Sequence, residues 1–113
     1  MVQAVKALHT ETEHSHLDLK VDNLLIGNDY RVKLCDLGLA TPINEPCLKK
    51  LGTDDYMAPE VFNVRETQVP YEGLKADIFS LGVILYILNF GIPPWKKPNV
   101  SQCRLYKRFK ETR

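Results

Sequence analysis

The 113-residue chain has few cysteines, almost no net charge and no apolar run long enough to cross a bilayer. Its three cysteines, Cys35, Cys47 and Cys103, are odd in number and stand in no CxxC spacing, which excludes a fully paired disulfide framework and a cysteine-rich zinc site. Met1 to Leu8 is too short for the apolar core of a secretory leader and runs into His9, Glu11 and Glu13. Reduced thiols in the cytoplasm, or in the nucleus, are the expectation. Fifteen basic residues against fourteen acidic ones leave a net charge of +1, so no global field recruits nucleic acid or membrane. The longest apolar run, Ile78 to Phe90, is interrupted by Ser80, Gly82 and Asn89 and falls short of the ~20 residues of a membrane span. It predicts a buried helix. With 44% apolar and 26% charged residues, what remains is an ordinary globular protein with length for one domain, residues 1–113.

Charge is less even locally. From Lys96 onward seven basic residues face only Glu111, which leaves the rest acidic by five. A solvated helix face explains this; contact with an acidic peptide or a membrane surface is the alternative.

Apolar spacing predicts a helix over Met1–His9, broken at Thr10–His14. Two short strands follow, around Leu24–Ile26 and Arg31–Cys35, joined by a Gly-Asn-Asp turn. Leu39–Leu51, with Pro42 and Pro46, reads as an exposed loop, and Asn63–Gly73 as another. Pro59 suits the first turn of a short helix ending near Phe62. Asp77 is expected at the start of the strongest helix, where the dipole favours a carboxylate, and Gly91, Pro93 and Pro94 end that helix. Asn99 is a candidate N-cap for a last helix with Val100, Cys103, Tyr106 and Phe109 on one stripe. The fold class is therefore mainly α with a short β-hairpin.

The chemistry-bearing residues lie near the hairpin. His16-Leu17-Asp18-Leu19-Lys20-Val21-Asp22-Asn23 precedes it, and Asp36-Leu37-Gly38 follows it. Carboxylate, ammonium and amide share one loop, and the hairpin returns a second carboxylate. Phosphoryl transfer uses such a set: an orienting carboxylate, a cation and two oxygen ligands for magnesium. Taken alone, Asp18-x-Lys20-x-x-Asn23 reads equally as a polar turn whose side chains bond the local backbone. Four further segments follow in order: the metal-turn motif, Gly52-Thr53-Asp54-Asp55-Tyr56-Met57-Ala58-Pro59-Glu60, Asp77-Ile78-Phe79-Ser80-Leu81-Gly82, and Gly91-Ile92-Pro93-Pro94-Trp95.

Their order and spacing resemble the C-terminal lobe of eukaryotic serine/threonine protein kinases over nearly the whole chain. The Gly-x-Pro-Pro-Trp ending most resembles the calcium/calmodulin-dependent and AMP-activated groups. The resemblance implies a partial kinase domain acting with ATP and Mg2+ on Ser/Thr hydroxyls of proteins or peptides. It implies Asp18 as catalytic base, Lys20 at the transferred phosphate and Thr53 bridging the two. It implies Asn23 and Asp36 as magnesium ligands, with Gly38 giving the metal turn its freedom. His16 would pack under that turn, and Asp77 would hold the catalytic-loop backbone. Leu25, Ile84 and Leu88 would lie beneath the adenine, though a plain core role suits them equally. His9 and His14 read as surface residues.

Three departures stand out. Leu17 replaces the arginine that grips an activation-loop phosphate, and Lys49 and Lys50 occupy positions where an acceptor is usual. Both halves of that ion pair are missing together. Leu37 replaces the commoner phenylalanine, an apolar exchange that retains packing. No glycine-rich loop or lysine-bearing strand precedes the motifs, so a fragment of a longer kinase is expected. The competing readings are a truncated, non-catalytic binding module, pseudokinase-like in character, and the product of a pseudogene or misjoined gene.

Overall fold

Val2, Val5 and Leu8 share one side of α1, which runs over Val2–Glu11 in the computed structural model; residues 1–112 are described. The strand β1 (His14–Ser15) and a single 3-10 turn over Val21–Asn23 lead into a hairpin. Its strands, β2 (Leu24–Ile26) and β3 (Val32–Leu34), pair antiparallel with Leu24 opposite Leu34, Leu25 opposite Lys33 and Ile26 opposite Val32. The connecting turn closes through Gly27 N–H to Arg31 O at 2.9 Å and Arg31 N–H to Asp29 Oδ1 at 3.1 Å. This matches the Gly-Asn-Asp turn expected from sequence.

Residues 39–51 depart from an exposed loop. β4 (Thr41–Pro42) pairs antiparallel with β1, Ser15 opposite Thr41. Cys47 and Tyr71 then exchange both backbone hydrogen bonds, each 3.0 Å long. A two-residue strand has no readable period, and its partners lie far off in sequence. The stretch 63–73 also corrects the loop expectation. After α2 (Pro59–Phe62), α3 (Val64–Thr67) forms one helical turn and ends at Gln68 in the left-handed region. One turn is too short for apolar periodicity to register.

The central helix, α4, spans Gly73–Phe90, so Asp77 sits in its second turn and not at its start. The extra residues also make α4 long and apolar enough to cross a membrane by length and composition, which corrects the shorter estimate. Only 28% of it is buried, which corrects the expectation of a buried helix: one side packs inside and the other stays open. Ala76 packs with Leu17, Met57, Val61 and Tyr71; Val83 packs with Trp95, Cys103 and Tyr106; Ile84 packs with Val5 and Leu19. One helix thus threads three apolar clusters. Gly91, at φ +77°, closes it by donating to Ile87 O.

The last helix, α5 (Arg104–Glu111), starts after Cys103. Asn99 instead caps the preceding turn, where its Oδ1 accepts from the backbone N–H groups of Ser101 and Gln102. Cys103 and Tyr106 are buried as the stripe predicted, whereas Val100 is half-exposed.

Candidate active site

The loop between β1 and the 3-10 turn is held from below by one carboxylate. Asp77 is 1% exposed, and its Oδ2 accepts from the backbone N–H of His16 at 2.7 Å and from His9 Nε2 at 2.7 Å. Its Oδ1 accepts from the backbone N–H of Leu17 at 2.9 Å. Three donors on a buried carboxylate offset its desolvation. Leu17 meanwhile adopts φ +65°, a strained conformation for a branched side chain. The bond to Asp77 and burial of the leucine in the core around Met57 and Tyr71 hold it there. Leu17 is therefore a core residue, not a vacant phosphate site.

His9 corrects the surface reading. It is 8% exposed and ties α1 to α4 through Asp77. Its burial is not legible in sequence, because the partner lies 68 positions away. His16 is fully buried and joins two loops. Its Nδ1 accepts from Asp18 N–H at 3.2 Å, which leaves Nε2 to donate to Cys35 O at 2.9 Å. That imidazole pins the backbone of Asp18 to the turn entering Asp36.

Above this base, Asp18, Lys20 and Thr53 converge. The Thr53 hydroxyl donates to Asp18 Oδ1 at 2.9 Å and accepts from Lys20 Nζ at 3.2 Å. Lys20 Nζ lies 3.8 Å from Asp18 Oδ2. Side-chain exposures of 24% and 15% leave both charges reachable from solvent. Thr53 comes from 33 residues beyond Lys20, through a chain reversal that Gly52 permits at φ +110°.

Asn23 is buried, and its Nδ2 donates to Asp18 O at 2.8 Å. The amide oxygen is thereby turned the other way, with the Cys35 thiol at 4.0 Å as a weak donor. Cys35 N–H donates to Asn23 O, so the hairpin delivers Asp36 one residue beyond Asn23. Asp36 is exposed and itself takes the left-handed conformation, φ +58°. This corrects the expectation for Gly38, whose φ is not positive. Gly38 N–H donates to Asp36 Oδ1 at 3.3 Å, and a Cβ there would stand 3.2 Å from the same oxygen. Close approach, not a special dihedral, is what glycine supplies.

Leu25 is half-exposed on the hairpin, while Leu24 faces the core around Ile84. Ile84 is fully buried there and Leu88 is 64% exposed, so the three leucine and isoleucine positions do not share one environment. The Tyr56 hydroxyl is held above its usual range, chiefly by burial, partly offset by a hydrogen bond to the Val21 backbone and reinforced by Asp55 and Asp22. Among the described residues no cluster of three or more His, Cys, Asp or Glu side chains could hold a metal.

The protein kinase domain model matches residues 1–112. A probable cell cycle serine/threonine-protein kinase, a CDC5 homolog of Encephalitozoon cuniculi, is 39% identical over 96% of this chain and 22% of its own length. A serine/threonine-protein kinase of Drosophila persimilis is 42% identical over 80% of this chain and 12% of its own. Serine/threonine-protein kinase SIK1 of Rattus norvegicus is 42% identical over 79% of the chain and 11% of its own. The chain therefore spans at most about a fifth of the length of these relatives. It belongs to the protein kinase domain family, and its relatives are serine/threonine kinases.

Proposed function

We propose that the chain carries the catalytic-loop part of a serine/threonine protein kinase, from the C-terminal lobe, which transfers the γ-phosphoryl group of ATP to protein Ser or Thr hydroxyls. The observation that carries this reading is the Asp18–Thr53–Lys20 triangle built over a buried Asp77. Asp18 is the group that orients the acceptor hydroxyl and takes its proton, since one oxygen is fixed by Thr53 and the carboxylate stays solvent-reachable. Lys20 stands beside it as the cation that offsets charge on the transferred group. Thr53 holds both in register.

The donor set fits magnesium. Asn23 Oδ1 and the Asp36 carboxylate are hard oxygen ligands on adjacent hairpin ends. Two protein ligands suffice for Mg2+, which keeps waters and takes phosphate oxygens for the rest. When bound, it would neutralise charge on the ATP phosphates. Asn23 and Asp36 would hold it, Gly38 would let the turn close on Asp36, and half-exposed Leu25 would offer the hairpin's apolar contact to the nucleotide. The substrates are Ser/Thr-bearing proteins or peptides. A cytoplasmic or nuclear location is supported by three unbonded cysteines.

Order in the segment 39–51 is supported without a phosphate. Tyr71 Oη donates to Lys49 O at 2.6 Å, and Lys50 Nζ lies 3.6 Å from Asp54 Oδ1 and 3.7 Å from the Phe62 ring centre. Phosphorylation within that segment is therefore not required for activity. The test is phosphate transfer by the longer gene product containing this chain, before and after phosphatase. Asp18→Asn should lower kcat by about 10²–10⁴-fold. A fully active Asp18→Asn enzyme, or activity lost on dephosphorylation of residues 39–51, would overturn the reading.

A further inference from the structure

The Gly52–Thr53 reversal carries the hydroxyl that Asp18 and Lys20 share, yet glycine supplies freedom at that point and no stiffness. The reversal has to be fixed from outside. On one side, Leu51 packs against the core around Met57 and Tyr71. On the other, Thr53 O accepts from Tyr56 N–H at 3.0 Å and Asp54 O from Met57 N–H at 3.4 Å. These contacts hold each side of Gly52 separately.

Lys50 and Asp54 span it. They stand two residues before and two after Gly52, and Lys50 Nζ lies 3.6 Å from Asp54 Oδ1. By itself that pair is weak, because the separation exceeds a hydrogen bond and the Asp54 side chain is 55% exposed. The ammonium has a second partner. It sits 3.7 Å from the centre of the Phe62 ring, a buried side chain in the core cluster of Met57, Val61 and Tyr71. A cation within about 6 Å of a ring centre is drawn to the ring face, more strongly where water is partly excluded. The Lys50 side chain is 23% exposed, so water is partly excluded here. Phe62 belongs to α2 and is fixed by the core, which gives Lys50 a firm seat from which it reaches Asp54 across the reversal.

We infer that Lys50 is a positioning residue for phosphoryl transfer: seated on Phe62 and facing Asp54, it straps the Gly52 reversal and keeps the Thr53 hydroxyl between Asp18 and Lys20. The ring face contributes more to this strap than the exposed Asp54 pair does. What Thr53 is positioned to do rests on the kinase reading; that Lys50 positions it does not.

Nuclear magnetic resonance on the 113-residue chain tests the strap without requiring activity. Lys50→Met keeps an apolar stem but removes the ammonium, and should shift the Thr53 methyl and Asp18 carboxyl carbon resonances. Lys50→Arg, whose guanidinium also stacks on a ring, should restore most of the parent positions. Asp54→Asn should give a smaller shift in the same direction. Added to Thr53→Ala, Lys50→Met should move the Asp18 carboxyl no further, since the strap acts through the threonine. Lys75→Met, which removes an ammonium paired with Glu72 at 3.0 Å, should move neither resonance. In the longer gene product, Lys50→Met should lower kcat roughly 3–30-fold with the KM for ATP unchanged, and Lys50→Arg should recover it. Parent-like Thr53 and Asp18 resonances in Lys50→Met overturn the inference, as does an equal shift in Lys75→Met. So does a failure of Lys50→Arg to recover, an effect on Asp18 that survives Thr53→Ala, or an unchanged kcat in an active enzyme. Should Lys50→Met lose helical circular dichroism, Asp54→Asn decides, and an unmoved Thr53 methyl then overturns the inference. The expected shifts in a longer product that phosphorylates no protein or peptide would keep the strap and overturn the kinase reading.

Discussion

The Asp18 loop and the α4–α5 groove both rest on α4, yet they are stabilised by opposite means. Beneath the loop, α4 supplies Asp77, and nearly every polar group finds a partner: His9, His16, Leu17, Asp18 and Asn23 form a continuous hydrogen-bonded set. Along the groove between α4 and α5, floored by Phe79, Val83 and Trp95, the same helix supplies Ile78, Gly82 and Tyr86, and one buried donor, Trp95 Nε1–H, has no acceptor among the described residues. The loop region needs position, because a carboxylate and an ammonium must meet a substrate within fractions of an ångström. Around the groove Val83, Trp95, Cys103 and Tyr106 are held by apolar packing. Directional bonds fix the first region, and non-directional burial holds the second.

The comparison breaks most visibly at Asp77. Asp77→Ala leaves the His16 and Leu17 N–H groups and the His9 ring without their acceptor, and should cost about 3–5 kcal/mol. Urea unfolding, or loss of helical circular dichroism at ambient temperature, measures it. A variant as stable as the parent would mean that the network is ornamental.

A smaller effect is expected at Gly52. A Cβ there would lie 2.7 Å from the Leu17 carbonyl oxygen, on a backbone at φ +110°. Gly52→Ala should cost about 1–3 kcal/mol and loosen the Thr53 contact with Asp18. Thermal unfolding reads the first. The second appears as a chemical-shift change at the Asp18 carboxyl carbon.

Tyr71 sharpens the contrast through pH. Burial, reinforced by a hydrogen bond and charge repulsion with Cys47, raises its phenol well above the usual tyrosine range. The folded state thus retains the proton where the unfolded chain has lost it. This contribution is whole below about pH 10 and falls away as pH rises through the folded value. Tyr71→Phe, which also loses the bond to Lys49 O, should cost about 1 kcal/mol at neutral pH and flatten the alkaline limb of the stability curve. Denaturant titrations at neutral pH and above pH 10 should show the difference shrinking.

The smallest effect belongs to exposed α4. Leu88, 64% exposed, lies at the margin of the open face. Leu88→Ser should change monomer stability by no more than about 0.5 kcal/mol. A loss of several kcal/mol in chemical denaturation would show that Leu88 is buried in solution.

Much of the site was legible in the chain because its parts are local. Asp18, Lys20 and Asn23 fall within six residues, and a hairpin of readable strands brings Asp36 back beside Asn23. The hairpin, α1, α2 and the long apolar helix follow from short-range periodicity and turn residues. Boundaries were less legible. Gly73 to Ala76 carry no strong signal, so α4 begins earlier than Asp77 suggested. β4 and α3 are too brief to carry a period at all.

By itself the sequence determined which groups meet around the hairpin, since turn chemistry and strand pairing act over a few residues. Tertiary structure alone decided that His9 is buried, that Asp77 anchors the loop from mid-helix, and that the 39–51 segment is tied to β1 and Tyr71. It also decided which side of an almost uniformly apolar α4 stays bare. A helix apolar all round carries no preferred face, so only the packing of neighbouring elements can select one.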